Sequence, residues 1–212
     1  MRKCIVIGAG GHAKIVLDIL QEKKYEIVGL TDPNIEKGEL CMGYPVLGTD
    51  EVLRLFLKVG VTDLVMGIGH TGNFQVRNQV YQNLQKEGFE FPALIHKNAI
   101  KADSAVIDKG VLVAAGSIIN PEAKIGELCI INTSSVIEHE VIIESGVHIA
   151  PHATILGNAF IGENSFIGAG SVVLQGVKVG RNCIIGAGSI ILKDIPDNSI
   201  VYGNPGVVHG KR

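Results

Sequence analysis

The chain has 212 residues and a formal net charge of −2, and 46% of its residues are hydrophobic against 19% that are charged. This balance predicts a folded chain with an extensive core, and it offers no basic surface for nucleic acid. The sequence has no apolar run of about 18 residues, and the apolar run at its start breaks at Gly8. We therefore expect a cytoplasmic protein without a membrane span or a secretory signal.

The first 95 or so residues alternate between short apolar runs and amphipathic runs. The expected strands are KCIVIG, EIVGLTD and DLVMGIG, and the expected helices are GHAKIVLDILQEKK, DEVLRLFLKVG and NFQVRNQVYQNLQKEG. A βαβαβα order predicts a small, Rossmann-like parallel sheet with right-handed crossovers. We assign residues 1–95 to this α/β domain.

A glycine-rich turn lies between the first strand and the first helix. Gly8, Gly10 and Ala13 match the pattern G-x-G-x-x-[G/A], and Asp32 ends the next strand. Free amides at a helix N-terminus bind phosphate groups, so the turn predicts a nucleotide or phosphate site. The α/β segment is too short for both halves of a dinucleotide fold, which argues against a dehydrogenase.

Residues 105–194 follow a different period. They divide into fifteen hexads, each with Ile or Val in the third place and a small residue in the first. This period predicts a solenoid with three flat faces, in which each hexad makes one short strand and one corner and three hexads make a coil. The register breaks before Ala105, where Lys101 would take a third place, so five coils are expected. We assign residues 96–212 to this domain and its C-terminal tail.

The cysteines support neither a disulfide nor a zinc site. The four cysteines show no C-x-x-C spacing, so no metal is expected. Cys129 and Cys183 both hold first places three coils apart, roughly 14 Å, which is beyond disulfide reach.

Several motifs together resemble one family. The hexad repeat resembles the left-handed parallel β-helix of the hexapeptide-repeat acyltransferases. IVIGAGGHAKIVLDIL, LIHKNA, the block IINTSSVIEHEVIIESGVHIAPHATILG and VYGNPG are similar to a narrower group of bacterial sugar acyltransferases. These are the acetyl-CoA-dependent N-acetyltransferases of UDP-4-amino sugars and the sialic acid O-acetyltransferases. The resemblance implies a homotrimer with active sites between subunits.

His139 is the candidate general base. Imidazole titrates near neutrality, which suits proton removal from an attacking amine or hydroxyl. His139 holds the fifth place of its hexad, near a corner, and Gly157 lies one coil above it, so we expect open space over the ring for a thioester. The resemblance assigns catalysis to His139 and orientation of its ring to Glu140. The neighbouring Glu138 is a rival that the sequence does not rank.

The resemblance also implies a donor site for acetyl-CoA. His148, in a second place and expected to face outward, matches the family's acetyl-CoA contact. Pantetheine is expected along backbone groups at Gly157, Ala169 and Ala187, where small residues leave room for a thin arm. Asn132, one hexad before His139, is assigned to substrate orientation, with an ordinary corner residue as the alternative.

For the acceptor, the resemblance places a nucleotide sugar on the α/β domain. The expected contacts are Gly10, Gly11, His12, Asp32 and Gly69. Relatives often carry a second acidic residue beside Asp32, which is absent here. The identity of the nucleotide and of the sugar therefore stays open.

We thus expect an acetyl-CoA-dependent N-acetyltransferase of a UDP-linked amino sugar in bacterial glycan biosynthesis, with O-acetylation of a sialic-acid-type sugar as the alternative. Two further readings are weaker. A zinc hydratase of the γ-carbonic anhydrase type would need a histidine spacing that His139, His148 and His152 do not match. A nucleotide sensor or scaffold without catalysis would leave the space over His139 unused.

Overall fold

The computed structural model describes residues 2–23 and 25–212. The chain divides into two compact units. One consists of Met1–His70 and Gln75–Leu94, and the other of Thr71–Phe74 and Ile95–Arg212. No helix among the described residues is long and apolar enough to cross a bilayer.

The first unit is built on a three-stranded parallel sheet in the order β2-β1-β5. Its elements are β1 Arg2–Ile7, α1 Gly11–Glu22, β2 Tyr25–Thr31, the hairpin strands β3 Leu40–Cys41 and β4 Tyr44–Pro45, a 3₁₀ turn Asp50–Val52, α2 Leu53–Lys58, β5 Asp63–Met66 and α3 Gln75–Lys86. Helix α1 forms because its apolar residues recur at helical spacing, and Val16, Leu17 and Leu20 are fully buried. The small parallel sheet is confirmed, and the hairpin is an element that the sequence did not predict.

The second unit is a parallel β-helix of two-residue strands that recur every six residues, followed by two longer strands that pair antiparallel with each other. The strands are β6 Leu94–Ile95, β7 Ile100–Lys101, β8 Val106–Ile107, β9 Leu112–Val113, β10 Ile118–Ile119, β11 Lys124–Ile125, β12 Ile130–Ile131, β13 Val136–Ile137, β14 Ile142–Ile143, β15 His148–Ile149, β16 Thr154–Ile155, β17 Phe160–Ile161, β18 Phe166–Ile167, β19 Val172–Val173, β20 Lys178–Val179, β21 Ile184–Ile185, β22 Ile190–Ile191, β23 Ser199–Tyr202 and β24 Val207–Lys211. They form three sheets of six, five and eight strands. The predicted β-helix is therefore confirmed.

The hexad pattern explains the core. Third-place residues such as Ile131, Ile149 and Ile167 stack along the axis and are completely buried. The hydroxyls of buried first-place serines donate to backbone carbonyls near the corners. Ser117 and Ser135 both donate to the carbonyl of Asn132, at 2.8 and 2.7 Å. A small first-place residue thus fits the corner and leaves no buried hydroxyl without a partner.

The β-helix is longer at its start than the sequence indicated. Ile100 and Lys101 pair in register with Ile118 and Ile119, although Lys101 is not an apolar third-place residue. Its amine donates to the carbonyl of Ala102 at 2.8 Å, so the side chain does not enter the core.

The register also shifts near the end of the β-helix. Ile195 pairs with Val179, which is sixteen residues earlier instead of eighteen. The corner before Ile195 is therefore two residues shorter than the others, and Lys193 and Asp194 lead directly into the next flat face. The strands before Ala105 and the continuation from Ile195 to Tyr202 bring the β-helix to about six coils, where five were expected.

The cysteines are all free thiols. Cys129 and Cys183 are completely buried first-place residues.

Candidate active site

His139 lies at the corner between the six-stranded and the five-stranded sheets, directly after β13. Its carbonyl accepts a hydrogen bond of 2.9 Å from the amide of Asn158 one coil above, which anchors the backbone of the corner. The side chain projects from this anchored backbone and stays 59% exposed. The β-helix therefore presents an exposed imidazole on an anchored backbone.

Glu140 is the carboxylate that contacts the imidazole. The Nδ1 of His139 lies 3.1 Å from Oε2 of Glu140, and Nδ1–H is the donor because the carboxylate only accepts. This tautomer leaves Nε2 with a lone pair, which is the form that a general base needs. Glu138 lies in the same corner, but the bond goes to Glu140.

The space between His139 and Gly157 is smaller than the register predicted. A Cβ at Gly157 would lie 2.6 Å from both Cε1 and Nε2 of His139. The imidazole itself therefore fills the space above His139 that the register predicted to be open for a thioester. The absence of a side chain at 157 lets the ring pack directly against the backbone there.

A cavity of about 550 Å³ opens beside the ring. Its lining is Glu138, His139, Leu156, Gly157, Asn158, Gln175 and Gly176. The sequence analysis missed four of these residues, Leu156, Asn158, Gln175 and Gly176. The hexad register could have identified Gln175, because it lies 36 residues after His139, which is two coils higher in the same corner column.

The predicted pantetheine contacts do not share one corner. Gly157 lies in the column of His139, whereas Ala169 and Ala187 lie between the eight-stranded and the six-stranded sheets. Ala169 and Ala187 are exposed, and the amide of Gly188 donates to the carbonyl of Ala169 at 2.8 Å. Within one chain, the base and this alanine column therefore face different sides.

His148 is buried, although its second-place position was expected to face solvent. It is 7% exposed, and its ring packs edge-on against Phe166 at 5.2 Å. The Nδ2 of Asn132 lies 3.1 Å from Nε2 of His148. This chain therefore leaves little of His148 for a cofactor to touch.

Hydrogen bonds to Thr133 determine the orientation of the Asn132 side-chain amide. Its Oδ1 accepts from the amide of Thr133 at 2.8 Å and from the Thr133 hydroxyl at 3.3 Å. Nδ2 must then be the donor to His148, whose neutral ring carries its proton on Nδ1. The amide of Asn132 is committed to these bonds and is 9% exposed.

The first turn of α1 provides the second candidate site. Gly10 and Gly11 are exposed, and a Cβ at either would meet nothing within 4 Å. Gly8 has a φ of +89°, and a Cβ there would lie 2.8 Å from the Ile68 side chain. The turn therefore brings an open helix N-terminus to the carboxyl edge of the sheet, where anions bind favourably.

Asp32 supports this turn from the end of β2. Its two oxygens accept from the amides of Ala9 and Asn34, each at 2.9 Å. The carboxylate thus holds the glycine-rich turn against the second strand.

Gly69 lies under the side chain of His12. A Cβ at Gly69 would be 3.0 Å from Cβ of His12, so the turn after β5 packs closely on α1. The carbonyl of the preceding Ile68 accepts a 2.5 Å bond from the guanidinium of Arg77, which is 1% exposed. Four of the five predicted acceptor contacts, Gly10, Gly11, His12 and Gly69, therefore surround the start of α1, and Asp32 braces it.

No group of three or more His, Cys, Asp or Glu side chains among the described residues is arranged to hold a metal ion.

Comparison with known proteins supports both parts of this description. A family profile described as the PglD N-terminal domain matches residues 3–84, and one described as the bacterial transferase hexapeptide (six repeats) matches residues 158–193. GDP-perosamine N-acetyltransferase of Escherichia coli O157:H7 is 27% identical over 179 residues, which is 81% of this chain and 78% of that protein.

Two solved structures resemble the chain over nearly its whole length. One is a variant of perosamine N-acetyltransferase from Caulobacter crescentus in complex with CoA and GDP-perosamine, with 31% identity, a TM-score of 0.93, and coverage of 99% of this chain and 97% of that one. The other is the acetyltransferase domain of PglB from Neisseria gonorrhoeae in complex with acetyl coenzyme A, with 35% identity, a TM-score of 0.88, and coverage of 98% of each chain.

The chain belongs to the hexapeptide-repeat sugar N-acetyltransferases. The class predicted from the motifs, an acetyl-CoA-dependent sugar acetyltransferase, is confirmed by these comparisons.

Proposed function

We propose that this protein transfers the acetyl group of acetyl-CoA to the amino group of a nucleotide-linked amino sugar, with His139 as the general base. The observation that supports this most directly is the bond from Nδ1 of His139 to Glu140 at 3.1 Å, which leaves Nε2 as the acceptor beside a cavity of about 550 Å³. Glu140 acts as the orienting carboxylate.

In the proposed reaction, the sugar amine attacks the thioester carbonyl while Nε2 of His139 takes a proton from the nitrogen. The C–N bond forms, the C–S bond breaks, and the departing CoA sulfur takes the proton from the imidazolium. A positioned general base contributes about 10²- to 10⁴-fold to such a rate. A backbone amide at the corner stabilises the negative charge on the carbonyl oxygen.

We assign residues 1–95 to acceptor binding and residues 96–212 to transfer. In this proposal the diphosphate of the sugar nucleotide lies at the exposed first turn of α1, near Gly10 and Gly11, and His12 and Gly69 form its edge. Asp32 acts through its bonds to the amides of Ala9 and Asn34, which set the shape of the turn. Asn132 and His148 act as a buried pair that supports the corner before His139.

The nucleotide base has two candidates. The resemblance in the sequence indicated UDP, and a UDP-N-acetylbacillosamine N-acetyltransferase of Bacillus subtilis is 33% identical over 54% of this chain. The relatives named for GDP-perosamine align over 81% and 99% of this chain. This greater coverage favours a GDP-linked sugar, and UDP is the second candidate.

The position of the alanine column favours a homotrimer. Because Ala169 and Ala187 lie at a different corner from His139, a groove that contains both needs a second copy of the chain. The outer face of the six-stranded sheet is apolar except for Thr154 and includes the exposed Ile100. A cyclic arrangement about an axis parallel to the β-helix would cover apolar surface and pair the two corners.

Release of free CoA, measured with a thiol reagent, tests the reaction with GDP- and UDP-linked amino sugars side by side. Mass spectrometry identifies the product, and treatment with hydroxylamine distinguishes a stable amide from a labile ester, which tests the O-acetylation alternative. His139→Ala should lower kcat at least 100-fold. A loss smaller than about tenfold would refute the assignment of His139 as base.

A further inference from the structure

A stacked pair of aromatic rings stands at the C-terminal end of the β-helix. The rings of Tyr202 and His209 are parallel to within 3°, with centroids 3.6 Å apart. Both side chains are exposed, Tyr202 at 49%. Two rings in parallel contact leave their outer faces available, so a third planar ring is able to continue the stack.

The backbone places His209 specifically in this position. Strand β24 pairs antiparallel with β23, but Ile200 faces Gly210 while Val201 faces Val208, so His209 is an extra residue in the ladder. Such a bulge turns a side chain out of the regular alternation. Gly186 makes room on the other side, since a Cβ there would lie 2.8 Å from Cβ of Tyr202.

The pair lies at the end of the alanine column. Ile185 pairs with Val201, and a Cβ at Gly186 would lie 2.8 Å from Cβ of Tyr202, so Tyr202 lies over Gly186, the residue before Ala187. The amide of Gly203 donates to the Ser189 hydroxyl at 3.2 Å and its carbonyl accepts from the amide of Ile190 at 3.1 Å, so the chain crosses the end of this corner directly above Ala187 and Ser189. Small residues line this corner up to the point where the two rings stand beside it.

The axial distances fit a CoA molecule laid along this corner. From the level of His139, Ala169 is nearly two coils toward the C-terminus and Gly203 is between three and four coils. At about 4.8 Å per coil, Gly203 lies roughly 18 Å above the level of the base. Rotation about an axis parallel to the β-helix preserves levels, so the same distance applies when the corner belongs to a second copy.

We propose that the Tyr202–His209 pair is a stacking site for the adenine of acetyl-CoA. This inference rests on the proposed function, in which the thioester lies near His139 in a groove that also contains Ala169 and Ala187 of a second copy of the chain. With the thioester at that level, the arm passes Ala169 and then Ala187, and the adenosine end arrives beside Tyr202. Stacking on aromatic side chains is a general mode of base binding.

The test separates the adenosine end of the donor from its acyl end. Tyr202→Ala should raise KM for acetyl-CoA about tenfold, and should leave KM for S-acetyl-4′-phosphopantetheine, which lacks adenosine, unchanged. Tyr202→Phe, which keeps a ring, should recover most of the loss. Val207→Ala, on the same hairpin and similarly exposed, is the matched control.

Two results would overturn the proposal. An equal rise in KM with both donors would mean that Tyr202 acts through the shape of the last coil, and no rise with either would place adenine elsewhere.

Direct binding of adenosine 3′,5′-bisphosphate provides a second measurement that needs no catalysis. Isothermal titration should show binding to the wild-type protein that weakens about tenfold in His209→Ala, a change at an exposed side chain that leaves the core intact. Equal affinity in the two proteins would contradict the proposal. If no donor supports acetyl transfer by the wild-type protein, the proposed function fails, whereas this titration still decides whether the stacking site exists.

Discussion

Gly157→Ala is the most informative single substitution, because it alters the position of the proposed base without removing it. The added methyl would lie 2.6 Å from Cε1 and Nε2 of His139, whereas ordinary contact begins at 3.4 Å. The imidazole must therefore retreat by about 0.8 Å, the difference between these two distances. It is free to do so, because it is the exposed end of a flexible side chain.

The expected effect is on catalysis and not on folding. A displacement of reacting groups by about 1 Å costs on the order of 100-fold in rate, so kcat/KM should fall by about that factor. Gly157 is buried but does not need a left-handed backbone conformation, and the nearest atoms that the new methyl would meet belong to a flexible side chain, so the free energy of unfolding should change by about 1 kcal/mol or less.

The assay is CoA release for the single variants Gly157→Ala and His139→Ala and for the double variant. If Gly157→Ala acts through the imidazole, it should cost nothing further once His139 is absent. Losses that multiply in the double variant would refute this reasoning, as would a single Gly157→Ala variant with half or more of the wild-type kcat/KM. Thermal unfolding of each variant shows whether the fold is intact.

Three further predictions concern other residues. Glu140→Gln should lower kcat about tenfold or more with little effect on either KM, whereas Glu138→Gln, the matched control in the same corner, should not; equal losses would refute the preference for Glu140. Gly8→Ala should lower the free energy of unfolding by about 1–3 kcal/mol, and with it the melting temperature, because φ is +89° there and the new methyl has no room. An unchanged melting temperature would contradict this. Burial raises the pKa of the Cys4 thiol to about 12, so at pH 9 it stays protonated, and mass spectrometry after alkylation of the native protein should find the half-buried Cys41 labelled and Cys4 unlabelled.

The start of α1 shows how far local sequence leads. The order of glycines indicated a tight turn before a helix, and the structure has that turn with Gly10 and Gly11 open at its edge. The sequence did not indicate that Asp32 brings both of its oxygens to the amides of Ala9 and Asn34. Those bonds depend on the distance between the ends of β1 and β2, which only sheet pairing determines.

The sequence by itself determined the β-helix, its register and the alignment of Gly157 with His139. A six-residue period is a local property, and each hexad repeats the same burial on the same backbone, so the pattern survives without knowledge of distant contacts. The same period failed at both ends of the repeat, at Lys101 and in the corner that contains Lys193. Backbone pairing continues through a polar third place, and a corner is able to lose two residues without breaking the sheet.

Only the tertiary structure decided how the side chains at the corners are used. Glu138 and Glu140 flank His139 equally in sequence, and the direction of the ring at a corner selects Glu140 as its hydrogen-bond partner. His148 should have faced solvent as a second-place residue, but it is buried with Asn132 and Phe166. Burial and ring orientation depend on which other segments lie against a position, and a repeat in the sequence does not contain that information.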